Sequence, residues 1–370
     1  MSESVKLLIW TRIPTHHQSA FFQAIRDQGI DLVVHYYRQI PEQRLRLGWA
    51  QPRSLPRGEN YVEPRVRSLS MCNDWRERIH IVPGCSNLFL LLLAIRLSSQ
   101  AVPWVHWSEP SRVSSPWRPG RWIRSFYAGL LNRWGLGALA IGDMARKDFI
   151  VWGMRPERIH FLPYSIAALS PERERTGVTS QPPRNAIRFL FLGVLCHRKA
   201  TDVLLEAFAQ VVRVCPEARL DLVGFDPTGG TYARQAAQLG IERATHFIGS
   251  VPVNELSAAI EVCDVLVLPS RFDGWGVVLN EGASMGKALI STEACGAAHH
   301  LIVEGRNGFR VPPADAAALA ERMLRYCHEP ALARMHGSMS RTLFQQFTPL
   351  RNASRLGDAL RTMLAKPRPT

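Results

Sequence analysis

The segment Val265-Leu266-Val267-Leu268-Pro269-Ser270-Arg271-Phe272-Asp273-Gly274-Trp275-Gly276-Val277-Val278-Leu279-Asn280-Glu281 runs from an apolar strand, through a loop with two glycines, into a helical pattern. The strand ends at Pro269-Ser270. Val277, Val278, Glu281 and Met285 then recur at helical spacing, which predicts a helix with its first turn near Trp275. Asp273 and the amides of the Gly-x-Gly fall at the start of that helix. Free N–H groups and the positive end of the helix dipole make such a place an anion site, and glycine lets a ligand approach the backbone closely. Asp is also a favoured N-cap residue, so Asp273 reads either as a cap or as a ligand group. Glu281, about two turns on, is placed to reach another part of the same ligand.

Outward from this segment the same alternation repeats. Strand-like apolar runs at 7–10, 32–36, 79–82, 102–107 and 139–141 have helical patterns between them. After a polar, proline-bearing stretch the pattern restarts at 187–192, 220–223, 245–248, 265–268, 288–291 and 309–311. Alternation of this kind argues for parallel sheets wrapped by helices. The expected fold class is therefore α/β, with two facing, doubly wound, Rossmann-like domains. The expected boundaries are 1–168 for the first domain, 169–185 for a linker, 186–350 for the second domain and 351–370 for a C-terminal helix and tail. Ligands of such sheets bind outside the carboxyl ends of strands, so a cleft between the domains is the expected site.

Bulk composition fits this division. The 370 residues are 46% hydrophobic and 21% charged, which suits two globular domains. Seven cysteines stand singly, with no Cys-x-x-Cys pair. That pattern predicts a reducing, cytoplasmic setting and argues against a disulfide scaffold or a zinc site. No secretory signal is read at the N-terminus, and the most apolar run, 88–95, is too short to span a bilayer. The net charge of +14 is uneven: residues 1–168 hold 22 Lys+Arg against 12 Asp+Glu, and 169–370 hold 23 against 19. A basic surface attracts nucleic acid, anionic lipid or phosphorylated substrates, and composition does not separate these.

Several positions together resemble one family. Gly193-Val194-Leu195, Lys199, Pro269-Ser270, the pair Asp273 and Glu281, Gly296 and Asn307-Gly308 are similar to the pattern of the retaining, nucleotide-sugar-dependent glycosyltransferases of family four, which have the two-domain GT-B fold. The resemblance is dense from Phe191 to Asp315 and loose over the N-terminal half. It implies that Asp273 meets the hydroxyls of a donor sugar and that Glu281 holds the ribose of its nucleotide. A carboxylate accepts two hydroxyl hydrogen bonds at once and matches a vicinal diol. Asp273 departs from the family's Glu by one methylene, which bears on which sugar fits.

The run Gly193-Val194-Leu195-Cys196-His197-Arg198-Lys199 reads as a strand-to-helix loop whose cations face a diphosphate. Arg198 and Lys199 are suited to stabilise charge on the leaving nucleotide diphosphate, which removes the need for a metal. No Asp-x-Asp, His-Glu-x-x-His or Walker pattern is present. The family often has Arg directly after the glycine; Val194 stands there, and Arg198 is the candidate substitute. The expected donor-binding set is thus Gly193, Arg198, Lys199, Gly274, Trp275, Gly276 and Glu281, with no cofactor beyond the nucleotide diphosphate sugar. His300 of Gly296-Ala297-Ala298-His299-His300 stands where the family has an acid, and helix-face packing and a phosphate contact are both open for these histidines.

In the first half, Val102-Pro103-Trp104-Val105-His106-Trp107-Ser108-Glu109-Pro110 reads as a strand running into a loop. His106 and Glu109 are the acid–base candidates at its end, joining Asp273 in the expected catalytic set; a core role for His106 is the other reading. Thr15 reads as an N-cap or as a group of the same site. Between Ser111 and Gly135 lie Arg112, Arg118, Arg121, Arg124 and Arg133 and no acid, beside a stripe of Trp122, Ile123, Phe126, Tyr127, Leu130, Leu131 and Trp134. The two readings of this segment are a helix packed on the first sheet and an amphipathic helix lying on an anionic membrane surface.

The resulting expectation is a retaining hexosyltransferase acting on a glycan or lipid-linked acceptor in cell-surface polysaccharide synthesis. Rival readings are a nucleotide-sugar epimerase or a phosphorylase on the same fold. A basic nucleic-acid binder is disfavoured by the lack of a reading motif.

Overall fold

The computed structural model describes residues 5–46, 49–111, 118–170 and 186–365. The expected linker therefore falls almost wholly outside the described residues, as do Arg112 and the tail 366–370. The chain divides into two compact units. The first takes residues to Ile40, Gln51–Ala167 and Thr348 onward; the second takes Pro41–Ala50 and Ala168–Phe347.

The first unit holds a seven-stranded sheet of order β3-β2-β1-β4-β5-β6-β7. Its strands are β1 (Lys6–Thr11), β2 (Asp31–Tyr36), β3 (Glu59–Tyr61), β4 (Ile79–Val82), β5 (Trp104–Ser108), β6 (Gly137–Ala140) and β7 (Ile159–Phe161), all paired in parallel. The sequence pattern anticipates five of these. The two edge strands, β3 and β7, are three residues each and carry no apolar run, so periodicity leaves no mark of them.

The second unit holds a six-stranded parallel sheet, β10-β9-β8-β11-β12-β13. These are β8 (Arg188–Leu192), β9 (Arg219–Val223), β10 (Thr245–Gly249), β11 (Val265–Leu268), β12 (Ala288–Thr292) and β13 (Gly308–Val311). All four residues of β11 are fully buried, because the strand lies between β8 and β12. In both sheets the chain starts in the middle, winds one way, then returns past its first strand and winds the other. The order reverses between β1 and β4 in the first unit and between β8 and β11 in the second. Such a reversal opens a crevice at the carboxyl ends of the two flanking strands. Two Rossmann-like domains, as the sequence implies, are the architecture of this chain.

The last helix, Pro349–Ala365, belongs to the first unit. Its buried residues Asn352, Ala353, Leu356, Ala359, Leu360 and Met363 form one stripe at helical spacing. The stripe packs beside helix His16–Asp27, and the Asn352 side-chain amide donates to the Pro163 carbonyl. Chain order therefore does not match unit order: the polypeptide returns to its first domain at Thr348.

Candidate functional site

The crevice of the second sheet is built from the two loops that leave β8 and β11. After β8, Gly193 adopts φ +144° and its N–H donates to the Val223 carbonyl at 2.9 Å, holding the loop against the end of β9. A single helical turn, His197–Lys199, follows and leads through Ala200 into helix Thr201–Val214. The loop after β11 runs from Pro269 to Val277. Four links tie the two loops together. The Arg271 N–H donates to the Arg198 carbonyl at 2.9 Å, and the Arg271 guanidinium donates to the His197 carbonyl at 2.8 Å. Arg198 donates to the Phe272 carbonyl at 3.1 Å, and Lys199 Nζ forms an ion pair with the Asp273 carboxylate.

Arg271 is the residue that sequence reasoning missed. Its guanidinium makes a bidentate pair with Asp202, both contacts 2.7 Å, from the first turn of the helix after β8. The hydrogen bonds that Arg271 donates to Asp202 raise the Arg271 pKa, while burial works against them. Fork-to-fork geometry of this kind fixes both partners in direction as well as distance. The two residues stand far apart in the chain, so no local spacing could have paired them. With Arg271 committed to Asp202 and Lys199 to Asp273, Arg198 leaves the cluster with a surplus positive charge, its guanidinium 3.8 Å from Asp273.

Asp273 is not a helix cap. The helix begins at Val278, three residues later than the pattern predicts, with Val277 at its N-cap and no side-chain bond there. Asp273 instead forms a parallel bridge with Cys295: its N–H donates to the Ala294 carbonyl at 2.9 Å, and its carbonyl accepts from Gly296 at 3.0 Å. The short bridge extends the crevice wall beyond the end of β12. The side chain of Asp273 is 14% exposed and that of Lys199 13%.

The glycines here are spatial requirements. A Cβ on Gly276, at φ +89°, would lie 2.6 Å from Cys295 Sγ and 3.7 Å from Asp273 Cγ. One on Gly296 would lie 2.2 Å from the Gly274 carbonyl oxygen. Gly193, Arg198, Lys199, Asp273, Gly274 and Gly276 are thus brought together. Glu281 sits on the following helix, Val278–Ser284, and is buried.

Other expected residues take different places. Trp275 is fully buried: its Nε1 donates to Asn280 Oδ1 at 2.8 Å, and its ring stacks on His300. Its side chain is thus a core strut, and only its backbone faces the loop; His300 is a packing partner. Cys295, fully buried, donates to the Trp275 carbonyl, and burial together with the nearby Asp273 charge pushes its thiol up to about 12. Asn307 is buried, with its amide donating to the Leu301 carbonyl at 2.7 Å and to Ser340 Oγ at 3.1 Å, while its Oδ1 accepts from Val303. The Asn-Gly step is therefore a structural staple. A Cβ on Gly308 would meet the Leu289 carbonyl at 2.0 Å.

His106 requires a correction. It is fully enclosed on β5 among Tyr127, Phe149 and Trp152. Ser108 Oγ donates to the Glu109 carbonyl and so accepts from His106 Nε2 at 3.0 Å, leaving Nδ1 to accept from the Tyr127 hydroxyl at 3.2 Å. Every polar atom of the ring is satisfied in a neutral form, which fits a core residue and not an acid–base group open to substrate. Glu109, three residues on, is exposed. Thr15 is the N-cap of helix His16–Asp27, its Oγ1 accepting from the Gln18 N–H at 3.2 Å.

Three buried histidines of the first unit share one electrostatic signature. Burial holds His106 down to about 3 and His80 to about 4; burial with the Arg78 charge holds His35 to about 4. An unfolded histidine titrates near 6.5, so below that pH the unfolded chain binds protons that the folded chain refuses. Stability is complete above about pH 6.5 and falls as pH drops toward about 4, with a slope approaching about 1.4 kcal/mol per pH unit for each ring. Among the described residues, His35 has no hydrogen-bond partner on either ring nitrogen. Urea midpoints at pH 7 and pH 5 should therefore differ strongly, and His35→Leu should reduce that difference by roughly a third, since His80 and His106 keep theirs. A pH-independent midpoint would contradict this account.

Comparisons with known proteins bear on the second unit and on the fold. Residues 186–329 match the family model of the group 1 glycosyl transferases. D-rhamnosyltransferase WbpZ of Pseudomonas aeruginosa is 31% identical over 160 residues, which cover 43% of this chain and 40% of that protein. A GDP-mannose-dependent alpha-(1-6)-phosphatidylinositol monomannoside mannosyltransferase of Mycolicibacterium smegmatis is 26% identical over 211 residues, covering 55% and 53%. The chain thus matches about half, or less, of the length of these relatives. Among solved structures, HepE of Anabaena in complex with UDP superposes with a TM-score of 0.74 at 18% identity, covering 97% of this chain and all of that one, and it supports the fold. Residues 186–329 are thus similar to the group 1 glycosyl transferases, and the two Rossmann-like units have the fold of solved structures of the GT-B type.

Proposed function

We propose that this protein is a retaining glycosyltransferase that moves a sugar from a nucleotide diphosphate donor to a glycan or lipid-linked acceptor. The observation that carries the reading is the cluster Arg198, Lys199 and Asp273 at the topological switch point of the second sheet. A net positive, glycine-floored crevice with one carboxylate suits a diphosphate joined to a polyol. In this reading the diphosphate lies against Arg198 and Lys199, Asp273 accepts from the sugar hydroxyls, and Glu281 takes the ribose. As the bond from the sugar to the diphosphate breaks, negative charge grows on the leaving oxygen, and cations fixed in place stabilise it without reorganising. Two fixed cations supply that charge without a metal, so the reading expects transfer to persist in chelator. Glu109 remains the acceptor-side candidate for the proton of the attacking hydroxyl. The relatives named for rhamnosyl and mannosyl transfer support a hexose donor, and the lipid-linked acceptor of the second supports a cell-surface product.

A panel of UDP-, GDP-, ADP- and dTDP-sugars, read by thermal melting, tests the proposal. A donor that binds the native state alone, at a hundred times its Kd, stabilises it by about 2.7 kcal/mol. One nucleotide series should raise the melting temperature and also support transfer with retained anomeric configuration. Absence of a shift across the panel would refute the donor site. Release of nucleotide and an epimerised sugar with no acceptor present would move the assignment to an epimerase.

A further inference from the structure

Helix Arg118–Trp134 of the first unit divides its apolar residues between two faces. Tyr127, Ala128 and Leu131 are buried in the core of that unit. Trp122, Ile123 and Phe126 are instead 76%, 44% and 56% exposed. Trp122 and Phe126 are one helical turn apart and make a row that continues into half-buried Leu130. The neighbouring helix Leu88–Ser99, which contacts this one, exposes Leu88 and Leu92, also one turn apart. The single apolar stripe read from the sequence is thus two: one anchors the helix and the other is displayed.

The charge on this helix is of one sign. Arg121 and Arg133 are exposed, and no Asp or Glu occurs between Glu109 and Asp143. Arg133 lies 5.2 Å from the Trp134 ring, so its charge sits beside the apolar surface. A protein partner would need a groove shaped to a protruding indole and acids placed for each arginine. A fluid anionic surface needs neither, because lipid tails accept aromatic rings of any outline and phosphates collect around guanidinium groups. No helix among the described residues is long and apolar enough to cross a membrane.

We infer that the face carrying Trp122, Ile123 and Phe126 docks on an anionic lipid surface. The rings and the isoleucine enter the boundary between headgroups and acyl chains, and Arg121 and Arg133 engage lipid phosphates. This surface shares no residue with the donor crevice, and the inference does not depend on the proposed sugar transfer.

The full chain is tested by co-sedimentation with vesicles of phosphatidylcholine and phosphatidylglycerol in equal parts, and with phosphatidylcholine alone. Wild type should partition strongly to the mixed vesicles, weakly to the neutral ones, and less at high salt. The Trp122→Ser/Phe126→Ser double variant should lose at least about tenfold in partition, since two large apolar side chains no longer enter the bilayer. Arg121→Gln and Arg133→Gln should each cost about fivefold on mixed vesicles and nothing on neutral ones. All four side chains are exposed, so melting temperatures should match wild type. The inference is overturned if wild type does not bind, or binds both vesicle types equally. It is also overturned if the double variant binds as wild type does, or if its only effect is to dissociate a dimer, which would assign the face to a second copy of this chain.

Discussion

Lys199→Ala is expected to lower kcat for sugar transfer by about 10²–10³-fold, the usual effect of removing one fixed group that stabilises charge in a transition state. The loss should fall on kcat more than on donor affinity, because Arg198 remains to hold the diphosphate while the charge on the leaving oxygen is less well met. The fold should persist. Asp273 loses its nearest cation but keeps the Arg198 guanidinium 3.8 Å away, and its backbone bonds to Ala294 and Gly296 do not involve Lys199. Lys199→Arg should recover part of the activity. Recovery should be partial because a longer, planar guanidinium cannot place its charge where the Lys199 ammonium meets Asp273. Single-turnover transfer rates and melting temperatures of the two variants check this. Wild-type turnover in Lys199→Ala would remove the cation from the mechanism.

Gly224→Ala should be among the most damaging changes to the second unit. Gly224 follows β9 at φ +147°, and a Cβ there would lie 1.8 Å from the Gly193 carbonyl oxygen and 2.6 Å from its carbon. The obstacle is backbone, so no side-chain rotation relieves it. Overpacking of about 1–3 kcal/mol adds to backbone strain of similar size. A total loss of about 3 kcal/mol or more is expected in urea unfolding. The same push displaces Gly193 and the loop carrying Arg198 and Lys199, so binding of nucleotide diphosphate should weaken in parallel. Gly229→Ala separates strain from collision: its φ is +65° and no atom of the described residues lies within 4 Å of a Cβ there, so about 1 kcal/mol is expected. Equal effects at the two positions would disprove the collision.

Much of the second domain was legible because its signals are local. An apolar tetrapeptide, a proline, two glycines and a helical repeat follow in order, and each constrains its own few residues. The same locality misplaced the helix start. The pattern puts the first turn near Trp275, but the helix starts at Val278, and of the two readings of Asp273 the cap is ruled out because it is drawn into a bridge with Cys295, twenty-two residues downstream. His106 and Trp275 show the opposite error. Residue type suggested chemistry and ligand contact, while burial, which depends on the whole core, decided for packing.

By itself the sequence determined two α/β domains and the loops that end β8 and β11, on which Arg198, Lys199 and Asp273 stand. These follow from periodicity and backbone stereochemistry, which act over a turn or a strand. Only the tertiary structure decided that Lys199 neutralises Asp273, that Arg271 and Asp202 hold the two loops together, that the final helix returns to the first unit, and that helix Arg118–Trp134 shows an apolar face outward. Each of these joins residues distant in the chain or depends on what packs against them. Their energies arise from charge separation and excluded area, which exist only once the chain has folded.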